Sequence, residues 1–192
     1  MGGAQVIHAD PGPDPDIGML ATSRAAPWSG GGGHYAVPDV LDAIRGANTT
    51  IVFINTRAQA ELFFQAIWAA NEDNLPIGLH HGSLAREARG RVEAAMAAGR
   101  LRAVVATGSL DLGIDWGDVD LVIQMAAPKG SSRLVQRIGR ANHRLDQASE
   151  AILIPGNRFE YLEARAALDA YYATRGGLNE ARLRMARVPD GA

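Results

Sequence analysis

The sequence predicts an α/β fold, a three-layer, doubly wound parallel sheet with helices on both faces. Short apolar runs rich in β-branched residues alternate with longer segments of helical periodicity, which is the pattern of βαβ units. Capping residues and glycines separate these segments. Polar segments follow several of the apolar runs, and ligands of such sheets bind at the carboxyl ends of the strands. We therefore expect the functional residues to converge on one edge of the sheet.

The predicted elements occupy residues 37–172. The strands are Thr50–Ile54, Leu75–Leu79, Leu101–Ala106, Val119–Gln124 and Glu150–Ile154. The helices are Val37–Arg45, Arg57 to about Asn71, Leu84–Ala98, an arginine-rich helix from Arg133, and Asn157 to about Tyr172. The second helix is apolar on more than one side, which predicts that the rest of the domain covers it well.

Helix boundaries are predicted by local capping patterns. Thr56 with Gln59 three residues later has the spacing of a capping box, and Asn157 with Glu160 has the same spacing. Gly99 follows an amphipathic segment and is predicted to be its C′ residue.

The two ends of the chain differ in composition from the predicted domain. Residues 1–36 are rich in Gly, Pro and Asp and are predicted to be a flexible lead-in, apart from a short strand candidate at Gln5–Ile7. Gly30–Gly33 is interpreted as a flexible loop rather than a phosphate site, because no strand precedes it and no helix opens directly on it. Trp28, beside this loop, has no clear role. Residues 173–192 are predicted to be a tail or the truncated start of a following domain.

Composition excludes several classes of protein. The 192 residues are 47% hydrophobic and 21% charged, which excludes wholesale disorder, and the net charge of −2 excludes a generally basic nucleic-acid binder. The sequence contains no cysteine, so disulfides and a thiol nucleophile are excluded. No apolar run has the roughly 18–20 residues that a membrane-spanning helix needs, and no signal pattern opens the chain. We therefore expect a cytoplasmic protein without a membrane partner.

One helical segment carries a row of arginines. Arg133, Arg137, Arg140 and Arg144 fall at i, i+4, i+7 and i+11, on one face of a helix. Like charges at this spacing repel each other, and no acidic residue lies between Lys129 and Arg144. Arginine binds phosphate oxygens bidentately, so the row favours a polyanionic ligand. The alternative is an ordinary solvated charged face.

Four motifs in order resemble those of superfamily 2 helicases. Gln136-Arg137-Ile138-Gly139-Arg140 resembles motif VI, the segment from Thr107 to Asp115 resembles motif V, Ile51–Arg57 resembles motif IV, and His80-His81-Gly82-Ser83 resembles the nucleic-acid-contacting motif that follows it. A narrower resemblance, over roughly residues 27–170, is to the Lhr-type, ligase-associated DEXH-box DNA helicases of bacteria. It rests on Pro27–Gly30, Asn55–Arg57, His80–Ser83, Leu112–Gly117, Ala127–Gly130 and Gly139–Arg144.

The resemblance implies that the chain is the C-terminal RecA-like lobe of an ATP-dependent 3′–5′ DNA helicase. The cofactor would be ATP, and Arg140 would reach its γ-phosphate as an arginine finger while Gln136 orients water or phosphate. The second finger would be Arg144, since His143 stands at the position of the general motif, or the group would work with one finger. The residues that the resemblance places toward ATP are Gly113, Asp115, Gln136, Arg137 and Arg140.

The resemblance also implies partners. The residues expected to hold the nucleic-acid backbone are Asn55, Thr56, Arg57, His81, Gly82, Ser83, Thr107 and Ser109. The implied ligand is single-stranded or partly duplex DNA in the bacterial nucleoid. The implied protein partners are the N-terminal RecA-like lobe and DNA-repair or ligase-associated proteins.

The sequence contains no Walker A loop. That loop needs Gly-x-x-x-x-Gly-Lys-Ser/Thr, and the sole lysine, Lys129, lies in Pro-Lys-Gly-Ser. We therefore expect Mg²⁺ to be held by the other lobe and this chain alone to be inactive. No metal site is expected either, because the adjacent His80 and His81 point apart and no third ligand is evident.

Two other functions remain open. A non-catalytic RecA-like module would use the arginine row to hold nucleic acid or an acidic partner, although it would not need nucleotide-facing residues. An unrelated α/β enzyme, such as a nucleotide-dependent transferase, is disfavoured because no Gly-x-Gly-x-x-Gly follows the first strand. Asn55-Thr56-Arg57 is also explained by helix capping alone.

Overall fold

A computed structural model of the chain contains one sheet of six parallel strands, which confirms the predicted parallel α/β fold. The structure describes residues 15–110, 119–128, 131–139 and 150–173. The strands are β1 (Asp16–Met19), β2 (Thr50–Phe53), β3 (Ile77–His80), β4 (Ala103–Ala106), β5 (Leu121–Met125) and β6 (Glu150–Ile154). Their order across the sheet is β1-β6-β5-β2-β4-β3. The chain therefore crosses the sheet repeatedly, and the described strands all end at one edge.

Helices cover both faces of the sheet. They are α1 (Val37–Gly46), α2 (Arg57–Ala69), α3 (Arg86–Ala97), α4 (Ser131–Ile138) and α5 (Arg158–Ala173), with short 3₁₀ turns at His34–Ala36 and Gly108–Leu110. One hydrophobic core joins α1 and α2 to side chains such as Val52 and Ile123 on one face. The other core joins α3, α4 and α5 to Phe53 and Val122 on the opposite face. Successive strand residues point to opposite faces, so this alternation produces the predicted three layers.

The first strand lies inside the segment that we predicted to be a lead-in. β1 pairs with β6 along its whole length, and Ile17 and Met19 are buried. The prediction of an irregular segment is therefore wrong for residues 16–19. Two buried apolar side chains around Gly18 are too short a pattern to identify a strand. The strand candidate Gln5–Ile7 lies outside the described residues.

The helix α2 is less covered than predicted. Ala60, Phe63 and Ile67 are buried against the sheet, but Leu62 and Trp68 are 54% and 58% exposed. The apolar surface of α2 therefore extends beyond what the described residues cover. None of the helices in the described part of the chain combines the length and apolar character needed to cross a membrane.

Three of the predicted helix ends are confirmed by their capping contacts, whereas α3 begins at Arg86, two residues later than predicted. The Thr56 hydroxyl accepts a hydrogen bond from the Gln59 amide at 3.3 Å and donates one to Gln59 Oε1 at 3.0 Å. Asn157 Oδ1 accepts from the Glu160 amide at 3.0 Å at the start of α5. Gly99 has a φ of +64° and donates its N–H to the last turn of α3 at 2.8 Å. These contacts therefore define where α2 and α5 begin and where α3 ends.

A glycine turn is anchored at the carboxyl end of the sheet. Gly30–Gly33 all have φ between +53° and +82°, a backbone region that favours glycine. A Cβ at Gly33 would overlap Cε of Met125, at the end of β5. The hydroxyl of Tyr35 donates a hydrogen bond to the Pro155 carbonyl at 2.6 Å. These contacts bind the turn to the β6–α5 connection.

We predict that Tyr35 makes the protein sensitive to alkaline pH. Burial, and secondarily Asp39 and Glu160, raises the pKa of Tyr35 to about 12. Unfolded tyrosine ionises near pH 10, so the folded state retains a proton that the unfolded state loses. The free energy of unfolding should therefore fall as the pH rises from about 10 to about 12. Urea denaturation across this range should show a shallower fall for Tyr35→Phe, and identical slopes would contradict the prediction.

Candidate nucleic-acid interface and nucleotide-facing helix

The polar segments predicted to converge do so within the described residues. Residues 55–57 follow β2, residues 81–83 follow β3, and residues 107–109 follow β4. Because neighbouring strands are parallel, these three segments lie at one edge of the sheet. Side-chain contacts between the segments, described below, confirm the convergence.

Arg57 reaches across the end of β4 to the segment after β3. Its Nη1 donates a hydrogen bond to Ser83 Oγ at 3.2 Å, and its Nε lies 3.7 Å from Oε1 of Glu61. The Arg57 side chain is 60% exposed. An exposed guanidinium beside a hydroxyl is suited to binding a phosphate group.

His80 connects three elements at the end of β3. It is 2% exposed, and its Nδ1 lies 2.9 Å from Ser109 Oγ while its Nε2 lies 2.9 Å from Glu93 Oε1. The His80 carbonyl also accepts a hydrogen bond from the Thr107 amide at 3.2 Å. His80 therefore positions both Thr107 and Ser109. The sequence predicts no such positioning role for His80, which it places only in the nucleic-acid-contacting motif and in a disfavoured metal site. The sequence signal for this role is the position of His80 at a strand end ahead of the helix that carries Glu93.

His81 points to the opposite face of the sheet, so the prediction that the two imidazoles point apart is confirmed. It is 3% exposed, and its Nε2 lies 3.2 Å from Glu61 Oε1 without the alignment of a hydrogen bond. Its Nδ1 has no hydrogen-bond partner in the described part of the chain. The ring is covered, whereas Gly82 and Ser83 are exposed. A nucleic-acid backbone that contacts this segment would therefore meet Gly82 and Ser83 rather than the His81 ring.

The arginines of the predicted row that the structure describes on α4 differ in their exposure to solvent. Arg133 and Gln136 are exposed, whereas Arg137 is only 1% exposed. The expectation of a common accessible face is therefore wrong at Arg137. Of the apolar residues beside the row, Val135 is 41% exposed and Ile138 is buried. The spacing of residues along a helix predicts which face they share, but it does not predict how deeply each side chain is buried.

The described contacts of Arg137 beneath α4 include two amide oxygens and an aromatic ring. Its Nη1 donates to Gln124 Oε1 at 2.6 Å and lies at 3.5 Å from Asn55 Oδ1, and its guanidinium lies 4.7 Å from the Phe53 ring centroid. Asn55 Nδ2 donates to the Ala127 carbonyl at 2.9 Å. This network attaches α4 to β5 and to the segment after β2. In this position Arg137 supports the site from below, and its predicted contact with ATP would require it to become accessible.

The remaining nucleotide-facing candidates lie outside the described residues. These are Gly113, Asp115, Arg140, His143 and Arg144. Their roles stay predictions. Within the described ranges, no group of three His, Asp or Glu side chains is placed to hold a metal ion.

Comparison with known proteins agrees with the fold. Residues 36–144 match the helicase conserved C-terminal domain family. The ATP-dependent helicase Lhr-Core of Methanocaldococcus jannaschii is 41% identical over 115 residues, which are 60% of this chain and 13% of that protein. The structure of Mycobacterium smegmatis helicase Lhr bound to ssDNA and AMP-PNP has a TM-score of 0.70 and 32% identity, covering 83% of this chain and 22% of that one. The C-terminal domain of the DEAD-box protein Dbp5 shares the fold, with a TM-score of 0.62 and 18% identity over 86% of this chain and 87% of that one.

The chain therefore belongs to the helicase conserved C-terminal domain family, the second lobe of superfamily 2 helicases. Within that family it is similar to the Lhr helicases, which confirms the resemblance that the motifs carry. The chain spans 13% of the length of the Lhr-Core relative and 22% of the Lhr structure. The activity of a whole helicase is accordingly a proposal for this chain.

We predict that the two described arginines of α4 differ sharply in their contribution to stability. Arg137→Ala leaves Gln124 and Asn55 without their buried donor and should lower the free energy of unfolding by at least about 2 kcal/mol. Arg133→Ala, one turn earlier and exposed, should change it by about 0.5 kcal/mol or less. Equal effects in urea denaturation would mean that Arg137 does not hold α4 to the sheet.

Proposed function

We propose that this chain is the second RecA-like lobe of an ATP-dependent 3′–5′ DNA helicase. The observation that carries the proposal is the set of side-chain contacts joining the loops after β2, β3 and β4 to one another and to α4. The loops carry the groups expected to hold a DNA strand, and α4 carries the groups expected to face ATP. A domain that links these two sets can couple nucleotide hydrolysis to movement on DNA.

The nucleotide would bind against α4, between this lobe and one that carries a Walker A loop and holds Mg²⁺. Gln136 is exposed on α4 and is free to orient water or a phosphate oxygen, and Arg133 is exposed one turn earlier. Arg140 would act as the arginine finger, with Arg144 as the candidate for a second. A finger guanidinium stabilises the charge that develops on the γ-phosphate oxygens during transfer. Hydrolysis removes this interaction and lets the lobes separate.

The DNA strand would be held by its backbone at the carboxyl edge. Arg57 supplies charge there, while Thr56, Ser83 and Ser109 supply hydroxyl groups. Such groups contact phosphates without reading the base sequence, as a translocating helicase requires. A role in DNA repair, implied by the resemblance, belongs to this same proposal.

We predict that ATP hydrolysis requires this chain to be joined to a second lobe. The chain alone should not hydrolyse ATP, because its sequence contains no Walker A loop. Fused to a lobe that carries one, it should give DNA-stimulated hydrolysis. Arg140→Ala in the fusion should then lower kcat by about 10³-fold or more.

The matched control is Arg100→Ala, which removes an exposed arginine in the turn between α3 and β4, at the opposite edge of the sheet. It should leave kcat unchanged. Hydrolysis by the chain alone, or full activity of the Arg140 variant, would contradict the proposal. DNA binding by a folded fusion without hydrolysis would favour the non-catalytic binding module.

We predict that Arg57 contributes one phosphate contact to single-strand binding. Arg57→Ala should weaken binding of oligothymidylate and reduce the slope of log K against log salt by about 0.7. Arg100→Ala removes the same charge from the other edge and should leave the slope unchanged. Titrations followed by fluorescence anisotropy at several salt concentrations measure both. Equal slopes for the wild type and Arg57→Ala would exclude this contact.

A further inference from the structure

Trp28 forms an exposed aromatic surface to which none of the four superfamily 2 motifs, nor the resemblance carried by Pro27–Gly30, assigns a role. The residue is 67% exposed, and the guanidinium of Arg158 lies over its ring at 4.5 Å from the centroid. We propose that Trp28 stacks on a base of the bound single strand while Arg158 contacts the adjoining phosphate. This inference rests on the proposed function, because it adds a subsite to the same DNA path.

The Trp28–Arg158 pair is fixed in position by main-chain contacts. The Arg158 amide donates to the Pro27 carbonyl at 2.9 Å, and its Nε donates to the Ala26 carbonyl at 3.1 Å. Arg158 is the first residue of α5, so the ring is held where the chain leaves β6. A platform fixed before binding loses little conformational entropy when a base stacks on it.

The chemistry of the pair matches a nucleotide. One face of the Trp28 ring is covered by Arg158, and the large exposed fraction of the residue leaves the other face open. The Nη groups of Arg158 make no hydrogen bond within the described residues, since Nε and the main-chain amide make its polar contacts. An aromatic face beside free guanidinium donors offers stacking for a base and hydrogen bonds for a phosphate.

A cavity is lined by residues that neighbour both this platform and the predicted DNA path in the chain. Its volume is about 350 Å³, and its walls include Gly30–Gly32, Ile54 and Gln59. The glycines begin two residues after Trp28, Ile54 directly precedes Asn55, and Gln59 is hydrogen-bonded to Thr56. A strand held at residues 55–57 can therefore continue over the cavity to Trp28.

The acidic side chain in the cavity wall does not oppose this path. Glu160 Oε2 accepts hydrogen bonds from the amides of Gly156 at 2.9 Å and Ala127 at 3.3 Å, and its Oε1 accepts one from Asn157 Nδ2 at 3.3 Å. Three hydrogen-bond donors therefore partly compensate the negative charge of the Glu160 carboxylate. The exposed Phe159 and Leu162 on α5 extend the apolar surface, which makes a protein partner the alternative occupant that the test must distinguish.

The test measures oligothymidylate binding by the full chain and its variants by fluorescence anisotropy. Trp28→Ala should weaken binding about tenfold, because stacking on an aromatic ring typically contributes this much or more. Trp28→Phe keeps a ring and should stay within about threefold of the wild type. The salt slope should be unchanged in both, since no charge is removed, whereas Arg158→Ala should reduce it by about 0.7.

Trp68→Ala is the matched control. Trp68 is similarly exposed, but its ring packs on Phe64 near the end of α2 and carries no described arginine contact. This variant should bind as the wild type does. An abasic oligonucleotide should abolish the difference between the wild type and Trp28→Ala, because no base remains to stack.

The outcomes separate this inference from the proposed function. If Arg57→Ala weakens the binding that the wild type shows and a folded Trp28→Ala does not, the stacking site is overturned but the proposed function is not. That result would favour a protein partner on this surface. A loss in Trp28→Ala that persists with the abasic strand also overturns it. No binding by the wild type overturns the inference and the proposed function together.

Discussion

The site depends on a buried guanidinium, that of Arg137. Removing a cation from water is costly, and a short hydrogen bond to Gln124 and the ring of Phe53 contribute to offsetting that cost. The same group approaches Asn55, which in turn holds the Ala127 carbonyl. The helix proposed to face ATP is thereby attached to the loop proposed to hold DNA. On this account the two surfaces move as one body when the lobes open and close.

A second buried connection lies at the edge strand β3, where adjacent imidazoles reach opposite layers. His80 meets Glu93 of α3 and holds Ser109, while His81 approaches Glu61 of α2 on the other face. The end of β3 is therefore fixed against both helical layers. Ser109 is thereby held beside the α3 layer, while Arg57, at the start of α2, lies at the same carboxyl edge of the sheet.

Local patterns in the sequence predicted strands and helix starts, but they did not predict how deeply individual side chains are buried. Apolar runs identified β2, β4, β5 and β6, and cap residues such as Thr56 gave the helix starts. It did not reveal β1, because two apolar residues carry too little periodic signal. Nor did it reveal the burial of Arg137, because the spacing of residues along α4 does not show that Gln124, the polar residue near the end of β5, lies beneath that helix. The motifs identified the family, yet the structure was needed to show that His80, rather than His81, contacts Ser109.

In the proposed function, this domain is one lobe of a motor that moves on DNA. Strand displacement by a fusion of this chain with a lobe carrying a Walker A loop tests it most directly. The substrate is a duplex with a single-stranded tail at either the 3′ or the 5′ end. Our account predicts ATP-dependent displacement with the 3′ tail only. Displacement that requires a 5′ tail, or ATP hydrolysis without displacement from either substrate, would contradict it.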